Sequence, residues 1–216
     1  MPTILYEDTH LLLVEKPMGV PSQMTEGDCL PHRLAERGYP IKVVHRLDKP
    51  TGGVMTYART DKAAARLSAM VGQHEVFHKE YLAVVQGCPS EAEGVYTDLL
   101  YHDVRRNKSY VVDRARQGVR QAKLEYTVVE TVTTDEGIFS LVRIQLHTGR
   151  THQIRVQFAS RKMPLYGDSR YGGVKGERLG LWSHQLNFPH PISKEPLSAE
   201  SNPDWSAAPW CYFKSI

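Results

Sequence analysis

The chain has 216 residues, 41% of them hydrophobic, which is enough for one good core or two lobes of one domain. A formal net charge of +3 excludes a uniformly basic surface, so a polyanionic partner has to be met by a local patch. Cys29, Cys88 and Cys211 form no Cys-x-x-Cys pair, the start lacks a basic region followed by an apolar run, and no apolar run approaches the ~20 residues of a membrane helix; the chain is expected to be cytoplasmic, without disulfides, metal or membrane contact.

In chain order, residues 4–6 and 11–14 read as strands of a first hairpin that ends at Lys16-Pro17-Met18-Gly19. Asp28, Pro31 and Gly38 supply a cap, a first-turn proline and a stop for a short helix. Val43-Val44 is strand-like, residues 54–58 form another strand, and Thr60 or Asp61 caps an Ala-rich helix ending near Gly72. Further strands are predicted over 81–85, 95–101, 124–132 and 138–146, with Leu141, Ile144 and Leu146 inward and Arg143 and Gln145 toward water or a ligand. At Thr148-Gly149 the last strand turns into a helix, on which His152, Arg155 and Ala159 share one face while Ile154 and Phe158 anchor another. Its N-terminus is a natural phosphate site. No repeat or linker divides the chain, which predicts a single α+β domain over residues 1–216: a large mixed, mainly antiparallel sheet with flanking helices, its two lobes around a central catalytic cleft.

The segment richest in chemistry is His45-Arg46-Leu47-Asp48-Lys49-Pro50-Thr51-Gly52-Gly53-Val54. It sets a short carboxylate between a strand and a Pro-x-Gly-Gly turn that lets the backbone reverse close to a ligand. This segment resembles the signature of the RluA-type family of RNA pseudouridine synthases, in which the matching Asp, here Asp48, is the essential catalytic residue. Leu146-His147-Thr148-Gly149-Arg150-Thr151-His152-Gln153-Ile154-Arg155-Val156 is similar to the family's second block, where the last arginine, here Arg155, pairs with that Asp. A carboxylate in an apolar cleft otherwise takes up a proton, and a guanidinium beside it keeps it ionised.

Three more blocks resemble the family in order. Lys79-Glu80-Tyr81-Leu82-Ala83 carries the tyrosine that stacks on the target base, Leu165-Tyr166-Gly167-Asp168-Ser169-Arg170-Tyr171-Gly172 follows, and Leu181 matches an apolar wall beside the base. Trp182-Ser183 departs from the commoner His-Ala at that place, so no role of that His carries over. The resemblance implies isomerisation of specific uridines in structured RNA, ribosomal or transfer, to pseudouridine. Uracil is detached, turned and rejoined through carbon, which needs a closed pocket and no cofactor. Asp48 acts as nucleophile or as proton acceptor, Tyr81 and Leu181 enclose the base, and Arg46, Arg150 and His152 contact the substrate, with Arg46 suited to fill the gap left by the flipped base. Beginning almost at the first conserved strand, the chain is expected to lack the small N-terminal RNA-binding domain of many relatives, and to be a monomer.

Charge is concentrated between Arg105 and Lys123: Arg105, Arg106, Lys108, Arg114, Arg116, Arg120 and Lys123 stand against Asp113 alone, giving 7 − 1 = +6. With Tyr110 among the cations, the segment suits RNA-backbone contact, in particular through Arg105, Arg106, Lys108, Arg114 and Arg116, and stacking on unpaired nucleotides. A rival is His74-Glu75-Val76-Phe77-His78, a literal His-Glu-x-x-His that binds zinc in metalloproteases when both histidines lie one turn apart on a helix. Against it, Gly72 ends the preceding helix, the segment leads straight into a strand, and no third ligand follows at close spacing. A non-catalytic RNA-binding module is the remaining alternative; it leaves Asp48, Tyr81 and Arg155 without purpose.

Overall fold

Apolar runs and alternating stretches divide the strands into buried and half-buried kinds, and the computed structural model, which describes residues 2–214, shows both. In order, the elements are β1 (Thr3–Glu7), β2 (Leu11–Lys16), α1 (Leu30–Ala35), β3 (Lys42–Val43), β4 (Gly52–Ala58), α2 (Asp61–Met70), β5 (His78–Gln86), β6 (Glu93–Asp103), β7 (Lys108–Val112), β8 (Val119–Thr134), β9 (Gly137–Leu146), α3 (Gln153–Ala159), β10 (Leu181–Pro189) and β11 (Pro196–Glu200). The class is α+β, with mainly antiparallel pairing and a parallel pairing of β4 with β10. The chain forms two compact units. Residues 1–80 and 182–203 make the first, and residues 81–181 and 204–216 the second.

In the first unit the strand order is β1-β2-β4-β10, with β3 beside β4 and β11 beside β10. Leu11-Leu12-Leu13-Val14 is buried throughout, as a strand covered on both faces must be. Leu11, Leu13, Val54, Leu67, Phe77 and Phe188 share one core, in which the Phe77 and Phe188 rings stack with centroids 4.5 Å apart. Each such side chain contributes roughly 1.5–3 kcal/mol through burial. The Thr60 hydroxyl caps α2 by accepting the Ala63 N–H, and Lys79 donates to the Val71 carbonyl at the other end. Burial pushes the Lys79 amine down to about 8.

Gly52 and Gly53 serve a different purpose from the expected chain reversal. They open β4, where the register sets them opposite Trp182 and Ser183 of β10. A Cβ on Gly53 would lie 2.1 Å from the Ser183 carbonyl oxygen, and one on Gly52 would lie 2.2 Å from the Trp182 ring. With φ of +108° at Gly53, the two glycines permit close parallel strand approach. The tight turn lies one step earlier, where Thr51 N–H donates to the Asp48 carbonyl. Asp28 also departs from expectation: its carboxylate pairs with Arg33, and α1 has no side-chain cap.

In the second unit the order is β5-β9-β8-β6-β7. Leu141, Ile144 and Leu146 are buried and Arg143 and Gln145 exposed, as the alternation predicts. A bulge between Val128 and Glu130 on β8 restores register with β9. Strand β7 escapes prediction because cations flank a run of five residues. The expected helix after Thr148 is delayed until Gln153. The Gln153 side-chain oxygen accepts from the Thr148 hydroxyl (2.7 Å) and the Arg150 N–H (3.1 Å), and Thr148 Oγ1 accepts the Lys123 N–H (2.9 Å), so side chains hold this stretch as a loop. Phe158 of α3 packs edge-on against Tyr96 and Tyr126.

Candidate active site

Asp48 is half-buried and sits in a segment pinned on both sides of it. Before it, the Ser22 hydroxyl accepts the Leu47 N–H (3.1 Å) and donates to the Leu47 carbonyl (2.7 Å), while Ser22's own carbonyl accepts from Tyr57 Oη. After it, the Lys49 carbonyl accepts from the Gly19 N–H (2.9 Å) and from Lys16 Nζ (3.2 Å). Lys16 is 0% exposed, and its ammonium also donates to the Pro17 and Val20 carbonyls, both at 2.8 Å. Three hydrogens meet three carbonyls. Burial lowers the Lys16 amine to about 8, with the Asp48 charge opposing that shift. The carboxylate is thus carried by a turn with little freedom. Arg46, two residues earlier, is exposed, and His45 turns inward, its Nε2 accepting the Thr56 N–H.

The second unit carries Tyr81 and Arg155. Tyr81 on β5 is 7% exposed, and Leu181, the first residue of β10, is 4% exposed. Arg155 lies on α3 with its side chain 6% exposed, and its Nε and Nη2 donate to the two carboxylate oxygens of Asp168 at 2.7 and 2.8 Å. Asp168 is fully buried. A bidentate pair of this kind fixes the guanidinium plane, and removing one partner of a buried pair costs about 3–5 kcal/mol. The motifs point to Asp48 alone as a partner of Arg155 and give no sign of Asp168, Lys16 or Ser22. A buried lysine at a strand end and an aspartate in a Gly-Asp turn look like ordinary turn residues until the fold closes around them.

Two expectations for the second block are corrected. Residues 153–158 of α3 are all buried, so the helix has no solvated cationic face. His152 precedes the helix in the left-handed conformation, with φ of 55°, and is itself buried with Nδ1 3.0 Å from Tyr171 Oη. Of the N–H groups at the start of α3, that of Gln153 already donates to the Arg150 carbonyl. Arg150 is exposed, its Nε donating to the Gln121 carbonyl on β8.

The basic segment is a hairpin, β6 with β7, followed by a loop into β8. Arg105 and Arg106 stand exposed at its tip, Lys108 reaches toward the Tyr110 and Tyr171 rings, and Arg116 in the loop lies 5.0 Å from the Tyr101 ring centroid; Arg114 is exposed beside it. Tyr101 and Tyr110 are cross-strand partners, so their side chains share a face. At the rival motif, residues 74–76 form a turn and His78 begins β5. The two imidazoles are therefore not one helical turn apart, and Phe77 between them is buried in the core. Among the described residues no group of His, Cys, Asp and Glu has the arrangement of a metal site.

Residues 10–160 match the family model described as RNA pseudouridylate synthase. The chain belongs to this family. Among its relatives, a protein named ribosomal large subunit pseudouridine synthase D from Xanthomonas campestris is 34% identical over 92% of this chain and 65% of its own length. Another, named tRNA pseudouridine synthase C from Pasteurella multocida, is 31% identical over 90% of this chain and 88% of its own. This pseudouridine synthase family member thus spans about two thirds of the first relative's length. Its fold is similar to that of human RNA Pseudouridylate Synthase Domain Containing 1, with a TM-score of 0.80 at 23% identity over 97% of this chain and 86% of that one.

Proposed function

We propose that this chain isomerises specific uridines in RNA to pseudouridine. What carries the reading is that the region matching the family contains Asp48 on a turn pinned through Leu47 and Lys49, and Arg155 locked by a bidentate carboxylate. Isomerisation needs a carboxylate that is ionised and aimed, and two ways to fail, a wandering turn and a wandering cation, are removed by these contacts. Asp48 attacks or deprotonates, Arg155 is assigned as the cation of the reaction, and Tyr81 and Leu181 as the groups that meet the base. Arg46, exposed, is assigned to the space the flipped base leaves. Arg150 and the cations Arg105, Arg106, Lys108, Arg114 and Arg116 take phosphates. The names of the two relatives point to ribosomal and transfer RNA as the substrates to try.

The test is to incubate the purified protein with total RNA from cells lacking it and to map pseudouridine at nucleotide resolution. New pseudouridine with wild type and none with Asp48→Asn is the expected result. Binding without modification by wild type supports the non-catalytic RNA-binding module and overturns the proposal.

A further inference from the structure

One turn of the second unit holds both the catalytic cation and the basic hairpin. Residues 165–173 fold back on themselves: Asp168 N–H donates to the Leu165 carbonyl, and Tyr171 and Gly173 N–H both donate to the Asp168 carbonyl. A Cβ on Gly173 would lie 2.1 Å from the Leu165 oxygen, so the turn has no slack. From it, Asp168 grips Arg155. Arg170 reaches the other way and donates to the carbonyls of Arg106 and Asn107 at the hairpin tip, at 3.1 and 3.0 Å.

Tyr171 does both. Its ring lies 5.3 Å from the Arg155 guanidinium carbon and packs against the cluster of Leu100, Ala122 and Val156. Its oxygen accepts the Ser109 N–H at 2.8 Å, donates to the Ser109 carbonyl at 3.2 Å, and lies 3.0 Å from His152 Nδ1. A phenol has one hydrogen and two lone pairs, so these three partners use it fully. Ser109 belongs to β7, the outermost strand of its sheet, whose outward N–H and C=O are otherwise open for pairing. Its hydroxyl donates to the Thr151 carbonyl at 2.6 Å, a third fastening of the same hairpin to the segment that leads into α3.

We infer that Arg170 and Tyr171 are positioning residues that couple the seating of RNA on the β6–β7 hairpin to the orientation of Arg155. The inference rests on the proposed function. Phosphates bound by Arg105 and Arg106 load the hairpin tip, the tip bears on Arg170 and Tyr171, and the turn they share with Asp168 sets the guanidinium. RNA that engages the hairpin therefore presents its uridine to a correctly held cation, and RNA that does not is turned over slowly.

The experiment uses Tyr171→Phe, which keeps the ring over Arg155 and deletes the oxygen that holds Ser109. Single-turnover rates at saturating enzyme, RNA affinities and thermal midpoints are measured for wild type, Tyr171→Phe, Arg105→Ala/Arg106→Ala and their combination. The expected result is a saturated rate lower by about tenfold in Tyr171→Phe with affinity changed less than about threefold, the loss of one or two aligned hydrogen bonds. In the combination the rate loss should be smaller than the product of the separate losses, as for residues acting along one path. Arg170→Met, at an exposed position, should behave like Tyr171→Phe and carries the test if the latter fails to fold. Unchanged saturated rates, or losses that simply multiply, overturn the inference while wild-type turnover upholds the function. Absence of wild-type turnover overturns both.

Discussion

At the scale of single residues, the turn carrying Asp48 illustrates how a candidate catalytic group is held through contacts to its neighbours' backbone. Replacing Asp48 with Asn is expected to abolish pseudouridine formation while weakening RNA affinity by less than ~10-fold, since the contacts to phosphates remain; assays of turnover and binding on the same preparation check both. Lys16 offers a sharper test, because it lies behind the turn. Lys16→Met removes an ammonium that satisfies three carbonyls, including that of Lys49. Unfolding in urea should show a loss of about 1–3 kcal/mol, the cost of leaving buried acceptors unpaired, and the saturated rate should fall because the residue after Asp48 is released. A stable variant with unchanged rate would show the ammonium to be idle.

At the scale of elements, the β6–β7 hairpin and the loop after it divide two duties. Arg114 and Arg116 stand in the loop, away from the fastenings made by Arg170 and Tyr171. Neutralising both should weaken RNA binding and reduce the log–log salt slope by about 0.7–0.9 for each phosphate that no longer meets a cation, leaving the saturated rate intact. Affinities at several salt concentrations measure this, and a changed saturated rate with unchanged affinity would contradict it. Helix α3 shows the limit of periodicity as a guide. Its i, i+3, i+7 spacing is real, yet the helix is covered on all sides, and the charge of its arginine is balanced by a buried aspartate that the spacing does not reveal.

At the scale of the whole molecule, acid stability has an identifiable source in His45. Burial and the nearby Lys79 ammonium push this imidazole down to about 3, and its Nε2 accepts the Thr56 N–H, a geometry open only to the neutral ring. Its folded value lies below the unfolded value of 6.5, so between about 6.5 and 3 the unfolded chain binds the extra proton. The contribution is complete above pH 6.5 and falls away on acidification, by up to about 1.4 kcal/mol per pH unit from this group. Urea unfolding at pH 7 and pH 5 should show a smaller loss for His45→Gln than for wild type. The fold also bears on metal dependence: with residues 74–76 in a turn, a chelator and His78→Ala are both expected to leave turnover intact. Stoichiometric zinc that disappears together with activity would reverse that reading.

The class of the fold, most strands, the Ala-rich helix and the candidacy of Asp48, Tyr81 and Arg155 are legible in the amino-acid sequence, because apolar periodicity and short motifs are local properties. The sequence also carried enough resemblance to place the family. The groups that act on residues from a distance along the chain are set by tertiary packing. Lys16 meets Lys49 across 33 positions, Ser22 meets Leu47 across 25, and Tyr171 meets Ser109 across 62. Gly52 and Gly53 read as turn residues because glycine frees the backbone, whereas their need comes from Trp182 and Ser183 on a strand far along the chain. His152 read as a helical cation because three-residue spacing says nothing about a backbone turned left-handed in a loop that Thr148 and Gln153 side chains hold. Hydrogen-bond partners of buried groups are set by which surfaces the fold brings together, and that information is spread over the whole chain.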